Sequence, residues 1–121
     1  PGIVALAAAE EGIRLIAEAG IPAIRAKGVA LTAFAIALVD DRLANHGFSV
    51  GSPREDARRG AHVAIRHPRA RELTTQLIAR GVVPDFREPD SIRFGLSPLT
   101  TSFGDVARGI AALEELAAGA G

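Results

Sequence analysis

The stretch GVALTAFAIALV (Gly28–Val39) is apolar at every position except Thr32, and it lies inside a segment, residues 22–45, that reads as one long helix with Pro22 in its first turn. A helix with apolar side chains around its whole circumference needs cover around its whole circumference. The rest of the chain has little to cover it with: there are five phenylalanines and no tryptophan, tyrosine or methionine in 121 residues. A chain of that length supports one domain and hardly two. The expectation is therefore that a further domain or a second subunit completes the burial of this helix.

The remaining segments are read from their periodicity. Residues 3–19, IVALAAAEEGIRLIAEA, form a preceding helix stopped at Gly20. After Gly47 the texture becomes strand-like. FSVGS (48–52) reads as a short strand, and AHVAIRH (61–67) as a second with His62, Ala64 and Arg66 opposite Ala61, Val63 and Ile65. The polar loop SPREDARRG (52–60) joins them as an antiparallel hairpin. Pro68 opens a helix over 69–80, with Leu73, Leu77 and Ile78 on its core side and Gly81 as its stop. VVPDF (82–86) and SIRFGL (91–96) read as two strands joined by REPD. Ser102 and Asp105 have capping-box spacing before a last helix, 103–117, that presents Phe103, Val106, Ile110, Leu113 and Leu116. The order α-α-β-β-α-β-β-α predicts an α+β fold, a small and mostly antiparallel sheet of about four strands packed against helices. Residues 1–121 are taken as one domain, with 1–45 a helical bridging segment and 46–121 an α/β sandwich layer.

Charge and composition exclude several classes of function. Fourteen basic residues balance fourteen acidic ones, so no net field draws in nucleic acid or an anionic membrane. Arginine outnumbers lysine 13 to 1, and Lys27 is the sole lysine. The absence of cysteine rules out disulfides, thiolate catalysis and zinc–thiolate sites. Gly28–Val39, the longest charge-free run, falls short of the roughly 20 residues that cross a bilayer. The first apolar run carries Glu10 and Glu11 and lacks the basic start of a signal peptide. A soluble, cytoplasmic protein without nucleic-acid or membrane partners is expected.

Few residues suggest chemistry. His62 and His67 are separated by an odd number along a strand, so they face opposite ways and cannot share a metal ion. His46 stands near a helix end, where a cation suits the dipole. The acid pairs Glu10–Glu11, Asp40–Asp41 and Glu114–Glu115 lie on helices, where neighbours diverge, and are read as solvated. Arg58 and Arg59, with Arg54 and Arg66 near them, lack interleaved aromatics and are diluted by Glu55 and Asp56, so a solvated loop is expected. An N-terminal proline acting as a base, as in tautomerases, is disfavoured because Pro1 leads into a helix rather than a strand. No phosphate loop and no Ser–His–acid arrangement is present. The exception is Arg93. In SIRFGL, Ile92, Phe94 and Leu96 share one face, and Arg93 shares the other with Gly95 and Ser97. A guanidinium beside a residue without a side chain admits an anion pocket, and equally an ordinary solvent-facing arginine.

Three stretches, PGIVALAAAEEGIRLIAEAGIPAIRAK, GSPREDARRGAHVAIRHP and RGVVPDFREPDSIRFGLSPLTTSFGDV, closely resemble the C-terminal third of kynureninases. These are pyridoxal 5'-phosphate enzymes of the aminotransferase class V branch and the aspartate-aminotransferase fold. The resemblance spans nearly the whole chain, and RRGAHVAIRHP and GVVPDFREPDSIRFG are its most specific parts. It implies a small domain packed on a large cofactor domain in a homodimer, and cleavage of L-kynurenine to anthranilate and L-alanine. It also implies that Arg93 binds the α-carboxylate of the amino-acid substrate. The family's Schiff-base lysine, phosphate cradle and pyridine-nitrogen aspartate lie upstream of Pro1, as does a phosphate-contacting polar residue. Lys27 does not match the lysine motif, so no catalytic, cofactor-binding or metal-binding residue is assigned within this chain, and the fragment alone is expected to be inactive. Cysteine desulfurases of the same branch would be expected to carry a cysteine-bearing loop here, which this chain lacks. The family commonly has tyrosine after its P-L pair, where this sequence has Thr100. Two alternatives stand beside kynureninase: the small domain of another class V enzyme, desulfurase-like or aminotransferase, and a non-catalytic oligomeric interaction module.

Overall fold

The structure is a computed structural model that describes residues 20–119, so the helix expected over 3–19 lies outside the described residues. Gly20 turns the chain with a φ of 78°, and helix α1 then runs Ile21–Leu38 with its proline in the first turn, where a missing N–H has no intrahelical partner to lose. The helical path continues through a wide π-type turn at Val39–Leu43 and a tight 3-10 turn at Ala44–His46. Leu31, Thr32, Ala35, Ile36, Val39 and Leu43 are buried, forming one stripe at helical spacing. On the other side Ile21, Ala23, Ala26, Ala30, Ala33 and Ala37 are exposed. The described residues thus cover one face of a helix that is apolar on both.

Ile21–His46 is long and apolar enough to cross a membrane by length and composition alone. Its charges argue otherwise. Arg25 and Lys27 at one end and Asp40, Asp41 and Arg42 at the other bracket Gly28–Val39. At about 1.5 Å per residue that run is roughly 18 Å long, against about 30 Å of hydrocarbon.

Four strands follow, β1 (Ser49–Val50), β2 (His62–Arg66), β3 (Asp85–Arg87) and β4 (Ser91–Gly95), in the spatial order β1-β2-β4-β3 with every neighbour antiparallel. The expected hairpin forms, pairing Ser49 with Arg66. Helix α2 (Ala70–Ala79) lies between β2 and β3, and α3 (Phe103–Gly119) ends the described chain. Val63 and Ile65 from β2, Ile92 from β4 and the adjoining Leu96 are buried with Leu31, Leu73, Leu77, Ile110 and Leu113 from the helices. The expected alternation is observed: one face of the sheet carries the core and the three helices, and the other carries no helix among the described residues.

A strand start and a buried position differ from expectation. The strand expected over 82–86 begins at Asp85. Val82 is used to close α2, its N–H bonding the Leu77 carbonyl while Gly81, at φ 85°, bonds that of Ile78; Pro84 then has no N–H to offer a ladder. Ile78, expected inside, is half exposed. The buried stripe of α2 is Ala70, Leu73, Thr74 and Leu77, and Ile78 lies a further 100° round the helix.

The capping box forms as the spacing implied, with the Ser102 N–H donating to Asp105 Oδ2 (2.8 Å) and the Asp105 N–H donating to Ser102 Oγ (3.0 Å). These bonds from Ser102, with Arg108 beside them, hold the Asp105 carboxyl below the usual carboxylate range. Hydrogen bonds from Arg54, Arg69 and Arg93 do the same for Asp40, Glu72 and Asp85. A carboxylate whose folded pKa lies below its unfolded value stabilises the fold above the unfolded value, and that stabilisation disappears as pH falls through the folded one. The urea midpoint is therefore expected to drop as pH is lowered below about 4. Asp105→Asn should remove part of that dependence, and a midpoint unchanged between about pH 5 and pH 3 would contradict the assignment.

Candidate functional site

The helix-free face of the sheet is where the side chains with chemical potential meet. Antiparallel register arranges them in rows: Ser49, Arg66, Ser91 and Arg87 in one, Ala64, Arg93 and Asp85 in the next, His62 and Gly95 in the third. Arg93 occupies the middle of the central row on an interior strand, so its backbone is held by ladders on both sides. Its side chain is 31% exposed. Nη2 donates to Asp85 Oδ2 at 2.9 Å, and this is the one hydrogen bond of the guanidinium among the described residues. Ala64 across the strand and Gly95 two residues along present almost no bulk. A Cβ at Gly95 would meet no atom within 4 Å outside its two chain neighbours. What results is a fixed positive group with most of its five N–H donors unpaired, bordering open space. Such a fork matches a carboxylate in two parallel charge-assisted bonds.

The other candidates are placed elsewhere. His67 is buried against Phe48, with ring centroids 4.3 Å apart. Its Nδ1 accepts the Arg69 N–H at the head of α2, and its Nε2 lies 3.0 Å from the His46 carbonyl, so the ring carries its hydrogen on Nε2. It is a capping group, and among the described residues no cluster of three or more metal-ligating side chains occurs. Asp40 pairs with Arg54 (2.8 Å) and Glu115 with Arg80 (2.7 Å) at the surface. Lys27 is exposed on α1.

One expectation is corrected. Arg58 is exposed as a solvated loop requires, but the side chain of Arg59 is only 2% exposed. It reaches α1, where its Nε donates to Thr32 Oγ1 at 2.7 Å. A loop lying over a helix with one hydroxyl in an apolar surface has one place for a guanidinium, and Arg59 takes it.

Asp85 is the site residue that sequence reasoning missed. The pattern carried part of its placement: Phe86 shares the core face with Ile92, which puts odd-numbered residues opposite one another across the turn, and the observed register sets Asp85 opposite Arg93.

A family model described as the kynureninase C-terminal domain matches residues 24–113. The chain belongs to the kynureninase family. Its curated relatives include the kynureninase of Pseudomonas fluorescens, 40% identical over 114 residues, which are 94% of this chain and 27% of that protein. The kynureninases of Burkholderia mallei (strain SAVP1) and Burkholderia pseudomallei (strain K96243) are 39% identical over the same shares. The chain thus spans about a quarter of the length of the relatives it matches. It corresponds to the C-terminal domain of that enzyme family, and the matched span holds the whole sheet, with Arg93 and Asp85, inside it.

Proposed function

We propose that this chain is the kynureninase domain that presents Arg93 to the α-carboxylate of an amino-acid substrate. The overall reaction would be addition of water across the bond between the side-chain ketone carbon and Cβ of L-kynurenine, giving anthranilate and L-alanine. The observation that carries this is the guanidinium of Arg93, anchored at one N–H and otherwise open over Ala64 and Gly95. Two parallel bonds to a carboxylate fix both its position and its plane, and with them the orientation of Cα. A lysine would supply charge without fixing the plane.

The family's cofactor, pyridoxal 5'-phosphate, serves as an electron sink when bound. In this reading no residue of the chain is assigned to it. A cavity of about 190 Å³ beside β4 is lined mainly by apolar groups, Val63, Ile65, Phe94 and Ile110 among them, and by no lysine or arginine. The single lysine projects from the exposed part of α1 rather than from the face that bears Arg93. On this proposal, cofactor, phosphate contacts and proton transfers fall to a large domain, and Arg93 contributes binding and orientation in a homodimeric, cytoplasmic enzyme.

The test is anthranilate fluorescence from the full-length enzyme carrying this domain, given pyridoxal phosphate and L-kynurenine, beside the 121-residue chain alone. Turnover is expected from the first and none from the second. A pyridoxal absorbance band retained by the purified chain, and bleached by borohydride, would overturn the division of labour. A full-length enzyme idle on kynurenine but active on another amino acid would move the domain to a different member of the class V branch, with Thr100 the first position to revert to tyrosine.

A further inference from the structure

We propose that Asp85 is a positioning residue for substrate binding, holding the Arg93 guanidinium in the orientation that receives the carboxylate. The inference rests on the role given to Arg93 above. Asp85 and Arg93 are direct cross-strand partners on the open face, the Asp85 oxygen accepting from Nη2 at 2.9 Å. Arg87, two residues along the same strand, brings Nη2 to 3.6 Å from the same oxygen, a longer ionic contact to the same carboxylate. Asp85 is itself 61% exposed on its side chain and lies on an edge strand, away from the buried cluster, so the fold does not depend on it for packing.

The geometry matters because an arginine side chain has many rotamers, and freezing them on binding costs affinity. One hydrogen bond from a cross-strand partner removes part of that cost beforehand. It also leaves four of the five N–H groups for the ligand. A carboxylate in this position has an opposing effect as well, since its charge repels the incoming anion. The two effects are separable by chemistry: an amide oxygen keeps the acceptor and drops the charge, and a methyl group drops both.

In the full-length enzyme, the probe is the inhibition constant of 4-(2-aminophenyl)-4-oxobutanoate, which has the aryl ketone and carboxylate of kynurenine but no α-amine and so reads carboxylate binding without turnover. Asp85→Ala is expected to raise this constant and KM roughly 3- to 10-fold with kcat nearly unchanged. Asp85→Asn is expected to stay within about 2-fold of wild type. In an Arg93→Ala background, Asp85→Ala should change kcat/KM by less than about 2-fold, because its effect passes through the guanidinium. Asp85→Ala that leaves the constant unchanged or lowers it, Asp85→Asn as weak as Asp85→Ala, or an undiminished loss in the Arg93→Ala background would each overturn the proposal. If Arg93→Ala alone has no effect, it is the role of Arg93 that falls, and the two failures are told apart by that single variant.

Discussion

Replacing Arg93 by alanine in the full-length enzyme is expected to lower kcat/KM on L-kynurenine roughly 30- to 1,000-fold, the equivalent of about 2–4 kcal/mol of transition-state stabilisation. The lower end corresponds to loss of one charge-assisted contact and the upper end to loss of a bidentate pair. Stability should change little. The side chain stands on the helix-free face, its hydrogen-bond partner is exposed, and surface ion pairs of this kind contribute about 0–1 kcal/mol. A variant with an unshifted melting curve and a collapsed kcat/KM would place the arginine in the site. Arg93→Lys should recover part of KM but little of the orientation that kcat depends on, because an ammonium offers no plane to the carboxylate. An Arg93→Ala enzyme with wild-type kcat/KM would return the residue to the class of solvent-facing strand arginines.

That alternative was open from the sequence alone, and the reason is physical. Period-two alternation tells which residues share a face, and for β2 and β4 it did so correctly, because both are interior strands with one face largely covered. It does not tell what the uncovered face does. The pairing of Asp85 with Arg93 depended on register across the turn: requiring Phe86 to face the core excludes slips of one residue but not of two, and the REPD segment does not choose between those. Helix ends were legible where a local bond makes them, as at Gly81 and at the Ser102–Asp105 box. Ile78 was misplaced because a stripe of Ala70, Leu73, Thr74 and Leu77 includes a small and a polar residue that composition discounts. The burial of one side of α1 followed from the tertiary order of the elements, which no local pattern encodes. In the loop 52–60 there is no periodicity at all, so nothing in the sequence separates Arg58 from Arg59.

Arg59→Ala is accordingly the substitution with the largest expected effect on stability, a loss of about 2–4 kcal/mol. Its side chain ties three parts of the chain together. Nε donates to Thr32 Oγ1 (2.7 Å), Nη1 to the Arg54 carbonyl (2.9 Å) and Nη2 to Asp56 Oδ1 (2.7 Å). Truncation removes all three and opens space between the loop and α1. The partners differ in what they lose. Asp56 is 63% exposed and rehydrates, whereas Thr32 is buried and keeps its bonds to the Gly28 and Val29 carbonyls. Few polar groups are stranded, so the loss is mainly that of charge-assisted bonds and packed stem, not of an orphaned charge. Arg59→Met, which restores the stem without the donors, should therefore fall between alanine and wild type. Thermal unfolding of the three proteins measures this directly. The loop leads straight into β2, where Ser52 Oγ accepts the Ala64 N–H (2.8 Å) beside the row that holds Arg93. Loosening it should also weaken carboxylate binding by a few-fold in the full-length enzyme, an effect Arg58→Ala should not share. If Arg59→Ala matched wild type in the melting curve, the guanidinium would have to be counted as surface charge after all, and the bonds to Thr32 and Asp56 as contributing nothing measurable.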